Sequence, residues 1–122
     1  MTENNVATLD VLVPEWLPVP EVAERLGLSV SQVKTLIRER ELVALPYGER
    51  GAPHVPAAFL GDGEVLKGLA GTLTVLNDAG YDAEESVRWL FTEADALGTT
   101  PIAALTANRR KHVHREAQLL GF

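Results

Sequence analysis

Val22-Ala23-Glu24-Arg25-Leu26-Gly27-Leu28-Ser29-Val30-Ser31-Gln32-Val33-Lys34-Thr35-Leu36-Ile37 is the stretch whose reading decides the fold. Val22, Ala23 and Leu26 recur at the spacing of one helix face. Pro20 stands where a missing N–H costs nothing, in the first turn. Gly27 ends this helix by taking a left-handed conformation in a tight turn. Ser29, with Gln32 three residues on, forms a capping-box pattern for a second helix with Val33, Leu36 and Ile37 as its buried stripe. Ala23 is small enough for that second helix to cross it closely. Leu26, Leu28, Val33 and Leu36 join the two, which predicts a helix-turn-helix.

Upstream, Trp16-Leu17-Pro18-Val19 reads as short and extended, because each proline restricts the residue before it. Residues 1–14 lack periodicity until Val11-Leu12-Val13 and read as a flexible tail. Downstream, Leu42 to Leu45 is apolar and partly β-branched. The turn-rich run from Pro46 to Pro53 follows, then His54-Val55. This predicts two short antiparallel strands around a flexible tip, a β-wing. Pro56 can open a short helix through Leu60.

Gly61-Asp62-Gly63 marks a boundary. Beyond it a helix is predicted over Leu69 to Asp78, with Leu69, Leu73 and Leu76 on one face and Gly80 as its stop. Asp82 caps the next, whose acidic first turn (Glu84, Glu85) suits the helix dipole and whose inner face is Ala83, Val87, Leu90 and Phe91. Thr100-Pro101 opens a short helix through Leu105. Asn108 is read as the cap of a last helix, with Val113, Ala117 and Leu120 facing inward. The expected organisation is a tail (1–14), a winged helix-turn-helix (15–60) and a C-terminal helical domain (61–122). The fold class is mainly α with a small β-wing, the helical bundle packing on the head.

Composition bounds the function. Apolar residues make up 46% of the 122, enough to fill a core. There are no cysteines, which removes disulfides, thiolate metal sites and cysteine nucleophiles, and suits a reducing cytoplasm. The polar, acidic N-terminus does not read as a signal peptide. Val65 to Leu76 is broken by Lys67 and glycines and falls far short of the roughly 20 residues a membrane span needs. The net charge of −6 opposes nucleic-acid binding at first sight. However, residues 18–60 carry five bases and five acids, whereas residues 61–107 carry two bases and eight acids. Local field, not total charge, decides whether a surface approaches phosphate.

The second helix leaves Ser31, Gln32, Lys34, Thr35 and Arg38 pointing away from the core. A recognition helix places such residues against base edges in the major groove. Gln can pair with adenine, Lys or Arg with guanine. Arg38 and Arg40, later on, suit phosphates. Arg50 at the wing tip suits the minor groove or a phosphate, and His54 lies on the return strand. Tyr47 suits either the sugar-phosphate backbone or a lid on the small core. A plain helical hairpin with a solvated outer face has the same periodicity. The coincidence of Ala23, Gly27, the apolar spacing and a following wing favours binding of double-stranded DNA.

The stretch Trp16-Leu17-Pro18-Val19-Pro20-Glu21-Val22-Ala23, with Leu26-Gly27-Leu28-Ser29, Leu36-Ile37 and Val55-Pro56, resembles the excisionase-like and MerR-like winged helix-turn-helix group. Gly71-Thr72-Leu73-Thr74-Val75-Leu76, Gly80-Tyr81, Arg88-Trp89-Leu90-Phe91-Thr92 and the basic last helix extend the resemblance to a small actinobacterial family of winged-helix DNA-binding proteins. It runs from Trp16 to the end. The resemblance implies a cytoplasmic DNA-binding protein, with a mycobacterial member resembling a Ser/Thr kinase substrate. Thr2 and Thr8 are the candidate phosphoacceptors for such a kinase partner.

Arg109-Arg110-Lys111-His112-Val113-His114-Arg115 is the densest basic run. Arg109, Arg110 and Lys111 can either extend a phosphate-binding surface or answer the acidic middle region. His112 and His114, two apart on a helix, point in nearly opposite directions and do not make a metal site. No phosphate-cradling loop, nucleophile elbow or cofactor motif is present, so neither an enzyme nor a cofactor is expected. The rival reading is an adaptor or antitoxin-like module whose helical half, with Trp89, engages a protein. Trp89 is expected to pack on the first half rather than anchor a partner. No heptad stripe marks a dimer, so a monomer is expected.

Overall fold

In the computed structural model the described residues are Leu9 and residues 11–121. Strand β1 (Trp16–Pro18) leads directly into helix α1 (Val19–Leu26), with prolines at its cap and in its first turn. Helix α2 (Val30–Arg38) follows after three residues, and strands β2 (Leu45–Tyr47) and β3 (Ala52–Pro56) form the wing. A 3₁₀ turn (Ala57–Phe59) leads toward the helical extension: α3 (Leu69–Asp78), α4 (Ala83–Leu90), α5 (Pro101–Thr106) and α6 (Arg110–Leu119). The fold is mainly α with a small antiparallel sheet, as the sequence predicts.

The turn between α1 and α2 rests on Gly27 at φ 69°. The Gly27 N–H donates to Glu24 O and the Leu28 N–H to Ala23 O, a Schellman ending that satisfies the last carbonyls of α1. Ser29 then starts α2. Its hydroxyl accepts from the Gln32 N–H at 3.0 Å, and Gln32 Oε1 accepts from the Ser29 N–H at 2.9 Å. Asp82 and Glu85 make the same reciprocal pair at the start of α4.

The sheet has three strands, in the order β1-β3-β2, rather than the two expected. Trp16-Leu17-Pro18 is a paired strand, with Leu17 opposite Val55. The first wing strand lies at Leu45–Tyr47, later than the predicted Leu42 to Leu45. Leu42 and Val43 are buried instead in the segment before it. With side chains alternating, Leu17 and Val55 face the core. Trp16, Tyr47 and His54 share the opposite face.

Three further expectations are corrected. First, the tail is not loose at its end. The backbone is helical at Leu9, Val11 and Leu12, the Val13 N–H donates to Leu9 O at 2.8 Å, and Leu9 and Val13 are buried. Their apolar side chains gain more from the core than the short segment loses in freedom. Second, Ala83 is exposed and Ser86 takes its place on the inner face of α4. Third, Asn108 does not cap α6. It sits at φ 65° one residue past the C-cap of α5, and its N–H donates to Leu105 O while the Arg109 N–H donates to Ala104 O. Asparagine tolerates the left-handed region better than most residues, so it closes one helix instead of opening the next.

One apolar cluster runs through both halves, from Leu17, Val22, Val33 and Val55 to Leu69, Leu76, Leu90 and Val113. Phe59, fully buried, meets Phe91 at a centroid distance of 5.9 Å and joins head to extension. Trp89 packs partly buried against the same cluster. Helix α6 lies on α3, where Gly71 clears room for the His114 ring: a Cβ there would stand 2.9 Å from the ring Cε1. Among the described residues no helix is long and apolar enough to cross a membrane.

Candidate nucleic-acid interface

Helix α2 has two faces. Taking about 100° per residue, Ser31, Lys34, Thr35 and Arg38 fall within an arc of about 100°, opposite Val33, Leu36 and Ile37. Val33 is fully buried, whereas Ser31, Lys34 and Arg38 are exposed and Thr35 is half-buried. The exposed row is internally ordered. The Thr35 hydroxyl donates to Ser31 O at 3.1 Å, and Arg38 Nη2 donates to Thr35 Oγ1 at 3.0 Å. Thr35 therefore serves to lay Arg38 along the helix.

Gln32 is exposed at the edge of this row, but its carbonyl oxygen is engaged in the helix cap. A bidentate contact to adenine has to share that oxygen or release it. Its amide nitrogen stays available.

Among the described residues only two basic side chains are ion-paired. Arg25 of α1 pairs with Glu21 at 2.9 Å, and Arg88 of α4 pairs with Glu84 at 3.2 Å. Among the described residues Lys34, Arg38 and the wing-tip Arg50 have no ion pair. All three are exposed. Arg40 is likewise exposed and without an ion pair among the described residues, but it stands off the row. It sits beyond α2 at φ 64°, in the left-handed closing position, and lines a cavity with Leu42, Tyr81 and Asp82.

The outer face of the wing is aromatic. Trp16 and Tyr47 stack at 5.0 Å with 19° between planes, and His54 meets Tyr47 edge-on at 5.3 Å. His54 Nδ1 lies 2.7 Å from Ala52 O, which as an acceptor requires the N–H on that nitrogen. His54 is thus held in place by its own strand. Tyr47 stacks on Trp16 instead of covering the core. The Trp16 indole N–H is buried without a partner among the described residues.

The basic last helix divides as well. Arg109 Nη1 donates to Leu97 O at 3.0 Å, so Arg109 ties α6 to the loop before α5. The stem of Arg110 passes over Gly68. His114 Nε2 lies 3.1 Å from Gly68 O, and His112 is exposed. Lys111 is exposed and has no ion pair among the described residues. Thr2 and Thr8 lie outside the described residues.

Sequence reasoning missed the partnership of Trp16 with Tyr47 across the sheet. It also missed the cavity behind α2, whose walls come from segments far apart in the chain. The alternation of Trp16 with the buried Leu17 was the available signal for the first.

Comparison with known proteins extends the geometry. Residues 6–60 match the family described as "DNA-binding protein Rv2175c, wHTH domain", and residues 66–121 match "Rv2175c C-terminal domain of unknown function". The chain is 38% identical to DNA-binding protein Rv2175c of Mycobacterium tuberculosis over 128 residues, covering 93% of this chain and 86% of that protein. The NMR structure of Rv2175c superposes with a TM-score of 0.77 at 36% identity, covering 88% of this chain and 82% of that one. In sequence and in fold, from the winged head through the helical extension, this chain belongs to the Rv2175c family of winged helix-turn-helix proteins.

Proposed function

We propose that this chain binds duplex DNA as a non-enzymatic transcriptional regulator, reading the major groove with α2 and touching backbone or minor groove with the wing. The observation that carries this reading is the exposed face of α2, where Ser31, Lys34 and Arg38 share one arc and both cations are without an ion pair. Arg25 and Arg88 spend their charge on carboxylates of their own helices, while Lys34 and Arg38 on α2 and Arg50 on the wing keep theirs. An unpaired cation on an exposed helix face is available to phosphate or to guanine. Ser31, Gln32 and Lys34 stand early on α2, where a recognition helix meets base edges. The relative named a DNA-binding protein supports the same reading.

In this proposal residues 15–60 form the DNA-binding segment and residues 61–122 support it. His54 contributes through its Nε2, and Arg110 and Lys111, both exposed on the last helix, are candidates for a further phosphate contact. The protein acts in the cytoplasm as a monomer. Thr2 and Thr8 remain the candidate targets of a Ser/Thr protein kinase. The acidic balance of the whole chain keeps non-specific attraction weak.

Titration of a labelled random-sequence duplex at two salt concentrations tests the proposal. Affinity should fall steeply with salt. In the Lys34→Ala/Arg38→Ala double variant the salt slope should drop by about 2, one for each cation taken away from the phosphates. No binding at low salt, with the fold intact by circular dichroism, overturns the reading. Selection from a random duplex pool then gives the preferred sequence.

A further inference from the structure

Behind α2, where its last turn meets the helical extension, the surface opens into a cavity of about 440 Å³. Its size falls within the range of small-molecule sites. The lining joins both halves. Leu42, Val43 and Leu73 are buried and apolar, while Arg40, Asn77 and Tyr81 bring polar groups. Arg40 and Asn77 are exposed and Tyr81 is half-buried, and among the described residues the Arg40 guanidinium, the Asn77 amide and the Tyr81 hydroxyl have no hydrogen-bond or ion-pair partner within the protein. Asp82 also lines the cavity, but its Oδ1 accepts from the Glu85 N–H at 2.8 Å and is committed to the cap of α4.

Arg40 supplies an independent observation. It closes α2 at φ 64°, its N–H donating to Ile37 O and the next N–H, of Glu41, to Leu36 O. This is the position that glycine takes most easily, and Gly27 takes it at the end of α1. A long cationic residue in a costly conformation, lining a cavity with unpartnered donors, points to a use for its charge there.

We propose that this cavity binds a small monocarboxylate with an apolar body. The carboxylate lies on the Arg40 guanidinium, whose planar fork matches two carboxylate oxygens. The Tyr81 hydroxyl and the Asn77 amide N–H are further donors, and the apolar body rests on Leu42, Val43 and Leu73. Asp82, itself acidic, disfavours a ligand with a second negative charge. Because Ile37 and Arg40 end the helix that carries Lys34 and Arg38, such a ligand would brace that helix against the α3–α4 turn.

Titration of the isotope-labelled full chain with octanoate and with 3-phenylpropionate, followed by amide NMR shifts, tests the proposal. At least one probe should give saturable shifts confined to residues 40–44 and 77–86. Octanamide, with the same body and no charge, should bind about tenfold more weakly or worse, and so should octanoate to the Arg40→Gly variant. That variant keeps the helix ending, so a loss of binding does not reflect a loss of fold. Failure of both acids to saturate, equal binding of octanamide, or unchanged binding in Arg40→Gly overturns the proposal. The readout does not involve DNA, so its failure leaves the DNA-binding proposal standing.

Discussion

Arg40 and Asn108 occupy the same kind of position, just past a helix end, at φ 64° and 65°. For an L-residue with a long side chain the left-handed region costs roughly 1–2 kcal/mol, and glycine gives back part of the gain through its freer unfolded chain. Arg40→Gly should therefore stabilise the protein by about 0.5–1 kcal/mol. Asn108→Gly should stabilise it less, because asparagine suffers less there. Urea unfolding checks both, as higher midpoints at an unchanged slope.

At the scale of the element, α2 carries two demands on one side chain. Gln32 closes the cap with Ser29 and also stands at the edge of the exposed row. Ser29→Ala should cost about 1 kcal/mol by removing the cap. Gln32→Glu should keep the cap, since a carboxylate accepts from the Ser29 N–H equally well, and so leave stability nearly unchanged. In the proposed complex the same change should weaken binding by about 1–3 kcal/mol, by losing the amide donor and adding a negative charge beside the bases. Thermal melts and a duplex titration on the same variant separate the two roles. Equal losses in both measurements would show that Gln32 acts only through the cap.

At the scale of the whole molecule, head and extension share one core through Phe59 and Phe91. Phe59→Ala should cost about 3–5 kcal/mol. The chain has two tryptophans, Trp16 on the sheet and Trp89 on α4, one in each half. Single-tryptophan variants, Trp16→Phe and Trp89→Phe, should therefore show coincident fluorescence transitions in denaturant. Separated transitions would mean that the halves fold independently and that the shared cluster is only an interface.

Local chemistry alone determined much of this protein. Gly27, Ser29 with Gln32, Asp82 with Glu85, and Thr100-Pro101 each act within a few residues of themselves, so the helix starts and the tight turn were legible, as was the two-faced α2 with its exposed Ser31, Lys34 and Arg38. Tertiary structure decided what depends on distant partners. Trp16-Leu17-Pro18 became a strand only because β3 offers it a free edge, and Leu9 and Val13 became core only because apolar surface stood open to them. Asn108 was drawn to the end of α5, and Arg109 was bound to Leu97 O, by a chain path that no short window reveals. Nearness in sequence to α2 suggests a phosphate contact for Arg40, whose side chain is exposed. The left-handed turn that closes the helix puts it in the lining of a cavity shared with α3 and α4. Periodicity reports which face of a helix is apolar. Which segments then meet, and what they enclose, depends on burial summed over the whole chain.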